Sequence, residues 1–85
     1  MTTQQFYDFA VEAAKNRGYK EPSVTTISGC YNGRIHHSVV MYDAVKRKNI
    51  NSGLQANPVA AIQAFKDEIE FSQKTYSNEQ ESIEI

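Results

Sequence analysis

The chain has 85 residues, a formal net charge of −1 and a single cysteine. This length fits one small domain, and the near-neutral charge excludes a surface that is basic overall. One cysteine excludes an internal disulfide, which favours a reducing, cytoplasmic location. The sequence shows no signal-peptide pattern and no apolar run near the ~20 residues that span a bilayer, so we expect no membrane association.

The first predicted element is a helix over residues 3–17. Thr2 and Gln5 have the spacing of a capping box, and Gly18 suits the position that follows a helix C-terminus. Apolar residues recur at helical spacing, which predicts that they face the core: Phe6, Phe9, Ala10 and Ala13.

A β-hairpin is predicted next, with strands at 23–31 and 34–43. Asn32-Gly33 between two β-prone runs is typical of a two-residue type I′ turn, which would place Tyr31 opposite Arg34. Gly29 inside the first strand indicates either a bulge or a close backbone approach.

Because side chains alternate across a strand, this register divides the hairpin into two faces. One, expected to meet the helices, contains Val24, Thr26, Ser28, Cys30, Ile35, His37, Val39 and Met41. The other contains Thr25, Ile27, Gly29, Tyr31, Arg34, His36, Ser38, Val40 and Tyr42. A one-residue slip would exchange the two faces.

The remaining elements are a short edge strand over 49–54, a second helix over 58–74 and an acidic, disordered tail over 77–85. Asn57-Pro58 is a strong helix start, with Asn as the N-cap and Pro at the first helical position. The apolar stripe of the second helix comprises Val59, Ile62, Phe65 and Ile69. The first 76 residues then form one α+β domain, in which two helices cover one face of a two- or three-stranded antiparallel sheet.

The order α-β-β-(β)-α resembles the double-stranded-RNA-binding domain in topology, over residues 3–72. The resemblance includes Gly18–Pro22 before the first strand and Ser52-Gly53 before the second helix. That family grips phosphates with lysines at the start of its second helix, whereas residues 55–60 here contain no cation. In size and acidic end the chain is similar to small accessory or inhibitor proteins of phages and mobile elements.

Three residues of the hairpin could carry chemistry: Cys30, His36 and His37. Adjacent histidines on a strand point to opposite faces, and Cys30 with His37 falls short of a zinc ligand set. A thiol nucleophile would need a base and a third, orienting group, and the sequence identifies none. The structural interpretations are a core-facing Cys30, an exposed His36, and a partly buried His37 bonded to Ser28.

Two exposed patches remain. The basic loop Lys46-Arg47-Lys48, joined by Arg34, is either a solvated turn or a contact for phosphate or an acidic partner. The second hairpin face offers apolar and aromatic residues for a protein interface: Ile27, Tyr31, His36, Val40 and Tyr42.

From these features we expect a non-enzymatic binding protein with no cofactor, metal or small-molecule substrate. Its partner would be another protein or a second copy of itself. The alternative is a weak nucleic-acid-binding module that uses the basic loop and Arg34.

Overall fold

A computed structural model of the chain confirms the predicted α+β class. It describes residues 1–74 in full and, beyond them, only the helical backbone to Glu84, so the tail predicted over 77–85 lies outside the fully described residues. The elements are α1 (Thr3–Lys15), β1 (Ser23–Tyr31), β2 (Arg34–Asp43), β3 (Lys48–Asn51) and α2 (Pro58–Glu84). The strands form one antiparallel sheet in the order β1-β2-β3, and both helices cover the same face of it.

The hairpin has the predicted turn and register. Asn32 and Gly33 have φ angles of 53° and 76°, the left-handed values that a type I′ turn requires. Tyr31 pairs with Arg34, and the ladder continues without a break to Ser23. Gly29 therefore marks no bulge, and a Cβ built on it would meet nothing within 4 Å, so the expected bulge or close approach is wrong.

Local capping sets both ends of α1 and the start of α2 as predicted. The Thr2 hydroxyl accepts the Gln5 amide, and the Gln5 side chain accepts the Thr2 amide, which completes the capping box. Gly18, at φ 99°, ends α1 in a Schellman arrangement, in which the Tyr19 amide donates to the Ala14 carbonyl. At the start of α2, the Asn57 side chain accepts the Ala60 amide at 2.8 Å.

The core lies between the helices and the inner sheet face, the face expected to be buried. Its members are Phe6, Ala10, Ala13, Ala14, Val39, Met41, Ile50, Ala61, Ile62, Phe65 and Ile69. Two predicted core residues are instead exposed: Phe9, at 49%, and Val59, at 65%. Both border the apolar stripe of their helix and line an open groove of about 420 Å3 between α1 and α2, because the sheet fills only one side of the helix pair.

The third strand is shorter than predicted because a bulge interrupts it. Regular pairing ends at Asn51, Gly53 turns the chain with φ 74°, and pairing resumes once, between Gln55 and His37. The buried Ser52 hydroxyl replaces the missing ladder partner, since it accepts the Val39 amide at 2.8 Å and donates to the Gly53 carbonyl. The bulge inserts one extra residue into this strand. The side chains after it therefore point to the opposite sheet face from the one that strict alternation would give.

Candidate functional site

The uncovered sheet face brings together all five residues predicted for a protein interface. We call it the outer sheet face and define it by Ile27, Tyr31, His36, Val40 and Tyr42. The side chains of Ile27 and Tyr42 are each 49% exposed and that of Tyr31 is 60% exposed, whereas His36 and Val40 are half-buried. They share this face because the strand alternation that buries Val39 and Met41 turns their neighbours outward.

His36 is more buried than expected, because neighbouring side chains surround its ring. The rings of Tyr31 and His36 meet edge to face, with centroids 6.2 Å apart. Together with Ile27, Ser38 and Leu54 they line a shallow cavity of about 150 Å3. The cavity opens over Gly29, which has no side chain to fill it.

Leu54 is the site residue that the sequence did not reveal. Alternation from Ile50 through Ser52 predicts Leu54 on the helix-covered face, but the bulge at Gly53 places it beside the outer sheet face, where it is 58% exposed. The only sequence signal for this change is Gly53 itself, because a glycine inside a strand pattern often marks a bulge.

The tip of the hairpin is exposed on its inner side as well. The ring of Phe6 meets the ring of His37 edge-on at 5.9 Å, and past that contact Ile35 is 66% exposed. Cys30 is also exposed and its thiol is free, so the expectation of a core-facing cysteine is wrong. The physical reason is that α1 begins at Thr3 and covers only the part of the hairpin nearer its base.

His37 has the structural role that was predicted for it. Its Nδ1 lies 2.8 Å from the Ser28 hydroxyl, and its backbone exchanges two hydrogen bonds with Gln55. Within residues 1–74, no group of three or more His, Cys, Asp or Glu side chains is placed to hold a metal ion.

The predicted basic patch is divided between opposite ends of the sheet. Arg34 lies beside the first turn, whereas residues 46–48 follow the other end of β2, which is 10 residues long and thus spans roughly 30 Å. Lys46 folds back onto α2, where its Nζ donates to the Ser72 carbonyl at 2.6 Å and to the Ser72 hydroxyl at 3.0 Å. Arg47 in the turn and Lys48 at the start of β3 are exposed. Arg34 therefore does not join the basic loop in one patch.

The buried carboxylate of Asp43 holds this second turn together. One oxygen accepts the amides of Val45 and Lys46 at 3.0 and 3.1 Å, and the other accepts the Tyr19 hydroxyl at 3.0 Å. Burial, followed by the bond to Asp43 and its negative charge, raises the pKa of Tyr19 to about 12. The phenol thus stays protonated and acts as a structural donor.

Comparison with known protein families, with curated proteins and with solved structures finds no significant match to this chain. The resemblance to the double-stranded-RNA-binding domain accordingly remains a likeness in the order of elements. Among the helices in the described part of the chain, none combines the length and apolar character that crossing a membrane requires.

Proposed function

We propose that this protein is a small, non-enzymatic binding protein that docks another protein on its outer sheet face. The observation that carries the proposal is the exposure of Ile27, Tyr31 and Tyr42 on a face that no described helix covers. Apolar side chains exposed on an uncovered face are typical of interaction sites on small proteins. Aromatic residues are enriched at the centres of such interfaces, where they supply much of the binding energy.

The charges on this face define the chemistry of the partner. Along both hairpin strands the outward positions include one charged residue, Arg34, which lies at the tip next to Tyr31. The matching partner surface is therefore apolar where it meets Ile27 and Leu54, with an aliphatic or aromatic side chain that enters the shallow cavity. An acidic group on the partner would face Arg34, because arginine forms bidentate hydrogen bonds with carboxylates.

The engagement of the polar side chains supports a binding role over catalysis. The Ser28 hydroxyl is bonded to His37, and Tyr19 is bonded to Asp43, so groups that could act on a substrate stabilise the fold instead. A cytoplasmic location is part of the proposal, because the exposed thiol of Cys30 persists best in a reducing compartment. An accessory or inhibitory role of the kind that phage proteins have would be exercised through the same face.

Nucleic-acid binding has weaker support, because the basic side chains that would contact phosphates are far apart. Arg34 is roughly 30 Å from the basic loop, and Lys46 donates to Ser72 on α2. Arg47 and Lys48 alone would release few counterions from a duplex.

The proposal is tested by affinity capture from the native host, with three forms of the protein compared by mass spectrometry. One variant carries Tyr31→Ser and Tyr42→Ser on the outer sheet face. The matched control carries Phe9→Ser and Val59→Ser, which remove equally exposed apolar groups from the helix groove. Val40 is left unchanged because its side chain is half-buried.

We expect the wild type and the groove variant to retain the same protein, and the outer-face variant to lose it. Retention by all three forms would contradict the proposal. Capture that disappears with nuclease treatment or at raised salt would instead favour the nucleic-acid alternative.

A further inference from the structure

β1 forms an open edge of the sheet, and it lacks the protection that natural edge strands carry. Its nine residues, Ser23–Tyr31, include no charged residue and no proline, and its register with β2 is unbroken. The opposite edge is protected, since β3 has four residues, begins with Lys48 and is followed by the bulge at Gly53. Long, flat, uncharged edges pair with further strands unless something blocks them.

The hydrogen-bond pattern identifies which backbone groups face outward from this edge. His37 exchanges two backbone bonds with Gln55, and Val39 accepts the Ser52 amide and donates to the Ser52 hydroxyl. Both residues thus face the chain that follows β3, so the alternate residues of β2, such as His36, bond to β1. In an antiparallel ladder their partners, such as Gly29, therefore point their N–H and C=O groups inward.

The intervening residues of β1 direct their N–H and C=O groups away from the sheet: Val24, Thr26, Ser28 and Cys30. Within residues 1–74, no backbone group outside the sheet ladder bonds to these four, and no side chain bonds to their backbone groups. The edge thus presents alternating donors and acceptors to solvent along its length, which is what strand addition requires.

We propose that β1 pairs antiparallel with β1 of a second copy of this chain, in a two-fold register centred on Ile27. This register places Val24 opposite Cys30 of the second copy and Thr26 opposite Ser28 of the second copy, so every outward group is paired. Each of these pairs exchanges both N–H···O bonds. Thr25 then faces Gly29 of the second copy.

The occupant is a second copy because the strand is complementary to itself. In a two-fold contact the same strand meets itself, so each side chain lies opposite a residue of the identical strand. A charged strand would place like charges near each other, whereas this uncharged strand does not. Thr26 opposite Ser28 of the second copy is also a favourable cross-strand pair, because Thr and Ser hydroxyls form hydrogen bonds across strands. The two Ile27 side chains, each 49% exposed in one chain, come together on the outer sheet face. The dimer joins the two outer sheet faces into one surface, but its formation does not depend on what that surface binds.

Site-specific crosslinking tests the register directly. Opposed residues that do not exchange hydrogen bonds have Cα atoms ~4.5 Å apart, which is within disulfide range. We expect Ile27→Cys, in a Cys30→Ser background, to form a disulfide-linked dimer under mild oxidation. Thr25→Cys in the same background is the matched control, because its symmetry mate lies four positions along the strand, about 14 Å away.

The expected result is crosslinking at position 27 at least tenfold faster than at position 25. Equal rates at the two positions, or no crosslink at 27, would overturn the proposal. Wild-type Cys30 provides a further control, since in this register its mate is about 20 Å away.

Sedimentation equilibrium of the full chain tests the edge itself. We expect a concentration-dependent dimer that Thr26→Pro converts to monomer, because its N–H faces outward and a proline there blocks the second strand. Thr25→Pro, which removes a donor to β2, should destabilise the fold itself.

The Tyr31→Ser, Tyr42→Ser variant should remain dimeric, so a failure of the docking proposal is distinguishable from a failure of the dimer proposal. A wild type that stays monomeric at millimolar concentration would overturn it.

Discussion

The bond between Tyr19 and Asp43 ties the end of α1 to the second turn, and replacing Tyr19 with Phe should measure its strength. The Asp43 residue is only 4% exposed, so one carboxylate oxygen loses a partner that water does not fully replace. Hydrogen bonds to charged groups contribute ~1.5–3 kcal/mol. Tyr19 is itself only partly buried, so we expect a loss in the lower part of that range, about 1.5–2 kcal/mol. For a domain of this size that loss lowers the Tm by about 6–16 °C.

The pH dependence of this loss separates the phenol from simple packing. The pKa of Tyr19 is raised from 10.0 to about 12 in the folded protein, so between these values the folded state binds more protons than the unfolded state. Stability from the protonated phenol is therefore fully present below pH 10 and is lost as the pH rises towards 12. The difference in unfolding free energy between wild type and Tyr19→Phe should accordingly be constant from pH 6 to 9 and shrink by pH 11.

Urea denaturation followed by circular dichroism measures this difference at each pH. Tyr7→Phe is the matched control, because Tyr7 is exposed on α1 and its hydroxyl bonds to none of the residues described in full. It should change stability by less than about 0.5 kcal/mol. An equal cost at both tyrosines, or a Tyr19 effect that does not change with pH, would refute the reasoning.

Two further stability predictions test the sheet and the first helix. Met41→Ala should lower the unfolding free energy by about 2–5 kcal/mol, because it empties a fully buried position. Tyr42→Ala, one residue along on the outer sheet face, should lower it much less. Chemical denaturation of both variants checks this, and equal losses would contradict the assigned register. Thr2→Ala should cost about 1 kcal/mol because it removes the N-cap of α1, while Thr3→Ala, just inside the helix, should be nearly neutral; similar Tm values for the two variants would rule out a contribution from the cap.

The sequence determined the parts of this protein that depend on near neighbours. Asn32-Gly33 set the turn, and the turn fixed the register and therefore the membership of both sheet faces. Thr2 and Asn57 marked the helix starts because capping is a contact within one turn of helix. All five residues predicted for the outer sheet face lie on it, because strand alternation follows from the backbone alone.

The tertiary structure decided how far each layer extends and which segments meet. Phe9, Val59 and Ile35 fit apolar patterns, yet they are exposed because the helices and the sheet overlap only in part. The bulge at Gly53 placed Leu54 beside the outer sheet face. The contact between Lys46 and Ser72 could not be predicted because the two residues are 26 positions apart in the chain. Periodicity specifies which way a side chain points from its own element, but only the packing of distant elements determines whether anything lies there to cover it.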